Sequence, residues 1–340
     1  MTSRRAIIAI IAGSFVVLTG VAVSVFVFTR DDAVAADGNR IAFSCKEQHN
    51  TWYAICISNT DGTNRQRITK QIQTSAPSWS PDGQEIAFTR NEDVGEYTTY
   101  SADDLFVMNA DGSNMRQLTR DRNGRHAGQP AWSPDGRQIA YIDGESVPSG
   151  QPSRPGGLFV MDADGDNVRR LTRGNVDTDP AWSPGGNEIA FARCECPNTN
   201  SLHLDLYVVN VASGATRRLT RTPGVFEATP SWSPDGSRIA FVRWDLLALV
   251  ATGTAGMYMM NSDGTGEKLV HKYKHFVGGL YSLSWSPDGR TLAFENSPNR
   301  ECTAIALLDI ASGAVRPLTS CEHERESTRS PAWQPNPDDR

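Results

Sequence analysis

Six polar residues of this chain stand a few positions ahead of tryptophans. They are His126, Gln129, Asp177, Asp179, Glu227 and Arg329. Carboxylates gathered at one spot favour a positive partner, so Asp177, Asp179 and Glu227 could together hold a cation or a basic peptide. The rest of the sequence offers little metal or nucleophile chemistry. The six histidines show no metal-ligand spacing; His271 and His275 are four apart, but in a segment without helical periodicity. Asp162-Ala163-Asp164-Gly165-Asp166-Asn167 copies the start of a calcium loop. Arg173 then stands at its twelfth position, where such a loop needs a bidentate glutamate. Equivalent stretches read Asn109-Ala110-Asp111-Gly112 and Asn261-Ser262-Asp263-Gly264, which is turn chemistry. No G-x-S-x-G nucleophile motif occurs.

What positions these residues is a repeat. A phrase close to P-x-W-S-P-D-G-x-x-I-A-F recurs, followed by N-A-D-G and R-x-L-T. Its tryptophans are Trp79, Trp132, Trp182, Trp232, Trp285 and Trp333, spaced 53, 50, 50, 53 and 48 residues apart. Short β segments and glycine turns at this period predict an all-β, six-bladed β-propeller of four-stranded blades. The first unit starts at Asp37-Gly38-Asn39-Arg40-Ile41-Ala42-Phe43 and lacks the tryptophan strand. The last unit is only Ser330-Pro331-Ala332-Trp333-Gln334-Pro335. Joined, they predict a split sixth blade closed by the C-terminal strand, which removes an exposed sheet edge.

Within the Trp79 repeat the pattern predicts strands over Pro77 to Ser80, Glu85 to Arg90, Leu105 to Asn109 and Met115 to Thr119. The tryptophan offers a large apolar surface to wedge between blades, and I-A-F suits a sheet covered on both faces. Strands that alternate in direction sort the turns by face. The P-D-G and A-D-G type turns share one end and hardly vary. The other end carries loops such as Asn91 to Asp104, Asp143 to Gly157, Cys194 to Asp205 and Trp244 to Gly256. Function is expected at this variable end, with the six polar residues at the channel mouth. The apolar run Trp244-Asp245-Leu246-Leu247-Ala248-Leu249-Val250 reads either as a partner-binding loop, through Trp244, Leu246 and Leu247, or as lengthened strands.

The 340-residue chain carries a net charge of −6, and no basic face argues for nucleic acid. Residues 1–5 form a short tail with Arg4 and Arg5. An uncharged run, residues 6–28, is long enough to cross a bilayer as one transmembrane helix. Residues 29–36 link it to the propeller, residues 37–335, and 336–340 form a tail. Positive charge before the run predicts a single-pass anchor in the cell membrane with the propeller outside the cytoplasm. Ala33-Val34-Ala35 also permits signal cleavage, giving a secreted or periplasmic protein. Six cysteines suit an oxidising compartment. Pairing within blades predicts bridges Cys45–Cys56, Cys302–Cys321 and the close pair Cys194–Cys196.

These phrases resemble the TolB-type, or PD40, propeller repeat. Trp132-Ser133-Pro134-Asp135-Gly136 followed by Leu158-Phe159-Val160-Met161-Asp162-Ala163-Asp164-Gly165 carries the likeness, which extends over nearly all of residues 37–335. The resemblance implies a propeller of the kind found in the protein-binding TolB component, in prolyl-oligopeptidase-type peptidases and in oligogalacturonate lyases. Neither the small α/β domain that precedes the TolB propeller nor a hydrolase domain is expected within these 340 residues. The expected function is a non-catalytic, monomeric scaffold that binds an envelope or secreted protein or peptide and needs no cofactor. The alternative is a metal-assisted lyase or hydrolase acting on a carbohydrate or lactone, with a channel cation such as calcium.

Overall fold

The computed structural model describes residues 39–46, 52–70, 73–91, 103–120, 125–145, 156–173, 176–194, 203–245, 254–273, 282–297, 302–320 and 327–336. Residues Ala36–Arg340 form one compact unit. Within it lie six four-stranded antiparallel sheets, the blades of a propeller. Each blade is named below for its inner-strand tryptophan. The Trp333 blade is the split one. Its order is Ser327–Trp333, Arg40–Lys46, Ala54–Asn59 and Gln66–Arg67, so the C-terminal strand pairs with the first N-terminal one.

The repeated phrase explains each blade. The I-A-F triplets Ile41-Ala42-Phe43, Ile86-Ala87-Phe88, Ile189-Ala190-Phe191 and Ile239-Ala240-Phe241 are fully buried, because neighbouring blades cover both sheet faces. The rings of Phe88, Phe191 and Phe241 pack on a ring of the third strand. Phe88 lies 5.9 Å from Phe106, and Phe191 lies 5.8 Å from Tyr207, centroid to centroid. The S-P-D-G turn is a small hydrogen-bond knot. Asp82 Oδ1 accepts from Ser80 Oγ at 2.6 Å and from the Gln84 amide at 3.0 Å, while Ser80 Oγ accepts the Glu85 amide at 2.9 Å. Gly83 closes it at φ 67°.

R-x-L-T has a separate purpose. Thr69, Thr119, Thr172, Thr220 and Thr319 each accept a third-strand amide through the hydroxyl, at 2.8 to 3.0 Å. The threonine side chain thus extends an outer strand of only two or three residues. The Trp232 blade carries no such threonine, and its outer strand runs longer, over Lys268–Lys272.

The tryptophans join blade to blade. The indole N–H groups of Trp79, Trp182, Trp232 and Trp285 donate to the carbonyls of Ala332, Ala131, Ala181 and Ser231, at 3.0 to 3.2 Å. Each acceptor directly precedes the tryptophan of the blade before.

Some boundaries differ from expectation. In the Trp79 blade the inner strand is Thr74–Trp79, begun earlier by pairing with Arg90 and Thr89. The outer strand is only Arg116–Gln117, since the Thr119 side chain replaces further ladder. Trp244 belongs to the second strand of its blade, Arg238–Asp245, and stacks on Phe226 at 5.4 Å. It is buried core rather than an exposed loop residue. Leu246 and Leu247 lie outside the described residues, as does most of each variable loop.

The Cys45–Cys56 bridge joins adjacent strands with Cα atoms 5.8 Å apart. Cys194 and Cys302 are also disulfide-bonded, while Cys196 and Cys321 lie outside the described residues. Residues 6–28 do too, and no helix among the described residues is long and apolar enough to cross a membrane.

Deleting residues 327–340 should open the ring and expose two sheet edges. Thermal unfolding with light scattering checks this: a large fall in Tm or aggregation is expected, and unchanged melting would show that closure is dispensable.

Candidate functional site: the central channel

Three residues before its tryptophan, the inner strand bulges. The ladder skips between Ser75 and Ser78, Gly128 and Ala131, Thr178 and Ala181, and Ala228 and Ser231. The first bulged residue takes a left-handed conformation: Ala76 at φ 50°, Gln129, Asp179 and Thr229 at 55°, and Ser330 at 52°. None is glycine, so each costs roughly 1–3 kcal/mol that surrounding structure must offset. Proline follows all five, at positions 77, 130, 180, 230 and 331. Lacking an N–H, it leaves no ladder donor unpaired at the bulge.

The bulges turn these residues toward one cavity of about 530 Å³ on the ring axis. Ala76, Gln129, Asp179, Thr229, Ser282 and Ser330 all line it. Gln129 and Asp179 lock together across two blades. Gln129 Nε2 donates to Asp179 Oδ1 at 2.8 Å, and Gln129 Oε1 accepts the Asp179 amide at 2.9 Å and the Thr178 hydroxyl at 3.0 Å. The Thr229 amide donates to Asp179 Oδ2 at 3.3 Å. Burial pushes the Asp179 carboxyl up to about 6, against these hydrogen bonds.

A second acid, unforeseen from sequence, lies beside the ring. Glu295 is buried at 3% exposure and accepts the Ser330 amide at 2.7 Å. Burial pushes it up to about 7; the Ser330 amide and the Arg329 charge oppose this, and the Asp179 charge adds to it. A signal was present. The position after I-A-F holds Ser44, Thr89, Ile142, Ala192 or Val242 elsewhere, and the Trp285 blade alone has an acid there. Two cavity-lining hydroxyls, Thr229 Oγ1 and Ser44 Oγ, are buried without a hydrogen-bond partner.

The expected acidic cluster is not assembled. Asp179 lines the cavity, but Asp177 and Glu227 do not. They are buried and consumed by ion pairs. Asp177 binds the Arg193 guanidinium through both oxygens, at 2.6 and 2.9 Å, and also accepts from Thr172 Oγ1. Glu227 pairs with Arg243, which also binds Glu267. The bulge is the reason: it rotates Asp179 to the axis while Asp177, still in the ladder opposite Arg193, faces into the blade. His126 is also off the cavity, where its Nδ1 accepts the Asp103 amide at 3.4 Å. Arg329 and Gln129 do line it, with the Arg329 guanidinium 5.6 Å above Tyr53. The calcium-loop look-alike is a turn, in which Asp164 Oδ1 accepts the Asp166 amide at 3.0 Å. No three His, Cys, Asp or Glu gather to hold a metal ion among the described residues.

The TolB beta propeller domain family matches residues 33–195 and 176–338. The chain belongs to this family. Among curated relatives, the Tol-Pal system protein TolB of Anaeromyxobacter dehalogenans is 39% identical over 146 residues, 43% of this chain and 29% of that one. An uncharacterized peptidase of Bacillus subtilis, YuxL, is 26% identical over 166 residues, 45% of this chain and 24% of that one. The matches thus span less than a third of either relative. The crystal structure of TolB from Acinetobacter baumannii shares the fold, with TM-score 0.68 at 19% identity, covering 87% of this chain and 67% of that one.

Two outcomes follow. Asp177→Ala should cost about 3–5 kcal/mol in chemical denaturation, because Arg193 loses both of its hydrogen bonds to that carboxylate, and Glu227→Ala should cost less, because Arg243 keeps Glu267. Glu295→Gln tests the second acid. A carboxyl raised from about 4 unfolded to about 7 folded binds more protons in the native state between these values, so stability falls as pH rises through that window. The Glu295→Gln protein should lose this slope and gain on the wild type from pH 5 to pH 8, read from denaturation midpoints.

Proposed function

We propose that this chain is an extracytoplasmic, non-catalytic scaffold that binds a protein partner by admitting an extended, positively charged segment at the channel mouth. The observation that carries this reading is the pairing of a fixed carboxylate with unused acceptors. Asp179 is held by Gln129 and Thr229, while Thr229 Oγ1 and Ser44 Oγ are buried in the same cavity without partners. A buried polar group without a partner costs about 1–3 kcal/mol, and a ligand that donates to it recovers this. A lysine ammonium or peptide amine offers the donors and the charge. Among the described residues the lining holds one carboxylate, Asp179, and no histidine or cysteine, which fits recognition better than acid–base work.

Membership of the TolB propeller family and the protein-binding character that the TolB resemblance implies agree with a scaffold. The location outside the cytoplasm rests on the apolar run 6–28 behind Arg4 and Arg5, and on the disulfides.

Selection of a displayed peptide library against the full chain tests the proposal. Lysine- or arginine-bearing peptides should be enriched, and Asp179→Asn should weaken their binding by about tenfold, the worth of one charged hydrogen bond. Indifference to peptide charge or to Asp179 would overturn the reading. Turnover of a polyuronate or lactone by the protein would favour a catalytic channel instead.

A further inference from the structure

A second cavity, of about 540 Å³, lies between the outer strand of the Trp132 blade and the neighbouring Trp182 blade. Arg169, Arg170, Arg173 and Arg193 line it, with Ser213 and Thr216, and among the described residues its lining contains no carboxylate. In a chain of net charge −6 this is a local reversal of sign.

Comparison with the sister blades shows how the reversal arises. In the Trp79 blade the outer strand faces Asp104, which accepts from Gln117 Nε2 at 3.0 Å, and Arg116 pairs with Glu85 at 3.5 Å. In the Trp182 blade Arg218 pairs with Asp205 at 2.5 Å, and Arg217 pairs with Glu188 at 3.8 Å. By register, the Trp132 blade has Gly157 where these have Asp104 and Asp205, and Gln138 where they have Glu85 and Glu188. Both neutralising acids are absent, yet both arginines remain. A Cβ at Gly157 would stand 2.9 Å from Arg170 Nε, so the missing side chain is also the space the guanidinium fills.

Two of the guanidinium groups, those of Arg169 and Arg170, are held in place. Arg170 Nε donates to the Thr172 carbonyl at 2.7 Å and its plane lies 5.6 Å from the Phe159 ring. Arg169 Nη1 donates to the Val211 carbonyl at 2.9 Å. Among the described residues no carboxylate pairs with Arg169, Arg170 or Arg173, whereas Arg193 is committed to Asp177. Anchoring by carbonyls fixes orientation without cancelling charge. Such forks match the oxygens of a tetrahedral oxyanion two at a time.

We infer that this inter-blade cavity is a binding site for a phosphoryl anion, a phosphate monoester or diester, recognised by Arg169, Arg170 and Arg173. The site is independent of the channel and of the peptide reading above. Its ligand is either a soluble phosphate ester or the phosphodiester of a lipid headgroup.

Titration calorimetry of the full chain with inorganic pyrophosphate at about 0.1 M salt, and flotation with phosphatidylcholine vesicles with or without phosphatidylglycerol, test it. Arg170→Ala should weaken binding by about tenfold. Gln138→Glu, which restores a sister-blade acid with almost no change of shape, should weaken it in the same direction and carries the test if Arg170→Ala fails to fold. Arg217→Ala, in the neutralised blade, should leave it unchanged. Pyrophosphate binding with this pattern supports a soluble ester. Flotation restricted to phosphatidylglycerol vesicles, with the same pattern, supports a headgroup. Absence of both, or equal sensitivity to Arg217→Ala, overturns the site.

Discussion

The pairing of Ser327–Trp333 with Arg40–Lys46 is the constraint on which the rest depends. Every other blade is local in sequence and assembles from one repeat. This one joins chain segments nearly 300 residues apart and turns an open stack into a ring. Closure makes each inner strand a neighbour of two others. It gives Trp79 its acceptor, the Ala332 carbonyl, and so makes at the seam the contact that Trp182, Trp232 and Trp285 make within the series. Closure also creates an axis, and with it a cavity lined by six inner strands.

What lines that axis is set by a backbone device. In five of the six blades a bulge followed by proline points one residue inward and removes the donor that a bulge would orphan. The scaffold bears the conformational cost at five positions, and the side chains so aimed differ: alanine, glutamine, aspartate, threonine and serine. Uniform backbone with variable side chains gives the channel its chemistry. The Gln129–Asp179 lock ties two blades and keeps a carboxylate in place that burial alone would disfavour.

Repetition makes exceptions informative. Asp177–Arg193 and Glu227–Arg243 show that acids near the inner strands are mostly matched inside the blades. Asp179 on the axis, and Glu295 beside it, have no such arginine salt bridge among the described residues. Gln138 and Gly157 stand where the two flanking blades hold acids, and so Arg169 and Arg170 lack the acids that neutralise Arg217 and Arg218 next door.

The sequence by itself determined the architecture. Six tryptophans at near-constant spacing, the I-A-F strands, the S-P-D-G turns and the complementary end fragments specified six blades, their order and the split closure, because most of these are local rules repeated along the chain. It also placed Cys45 beside Cys56, since a hairpin brings near neighbours together. Gln129, Asp179 and Arg329, expected at the channel mouth, line the cavity. The sequence did not separate Asp179 from Asp177 and Glu227, because strand alternation sets side-chain direction only until a bulge resets it. It did not find Glu295, whose importance comes from the Ser330 amide of another blade. Only the tertiary structure decided which charges meet a partner and which face an open space, because that balance depends on contacts between blades that no single repeat contains.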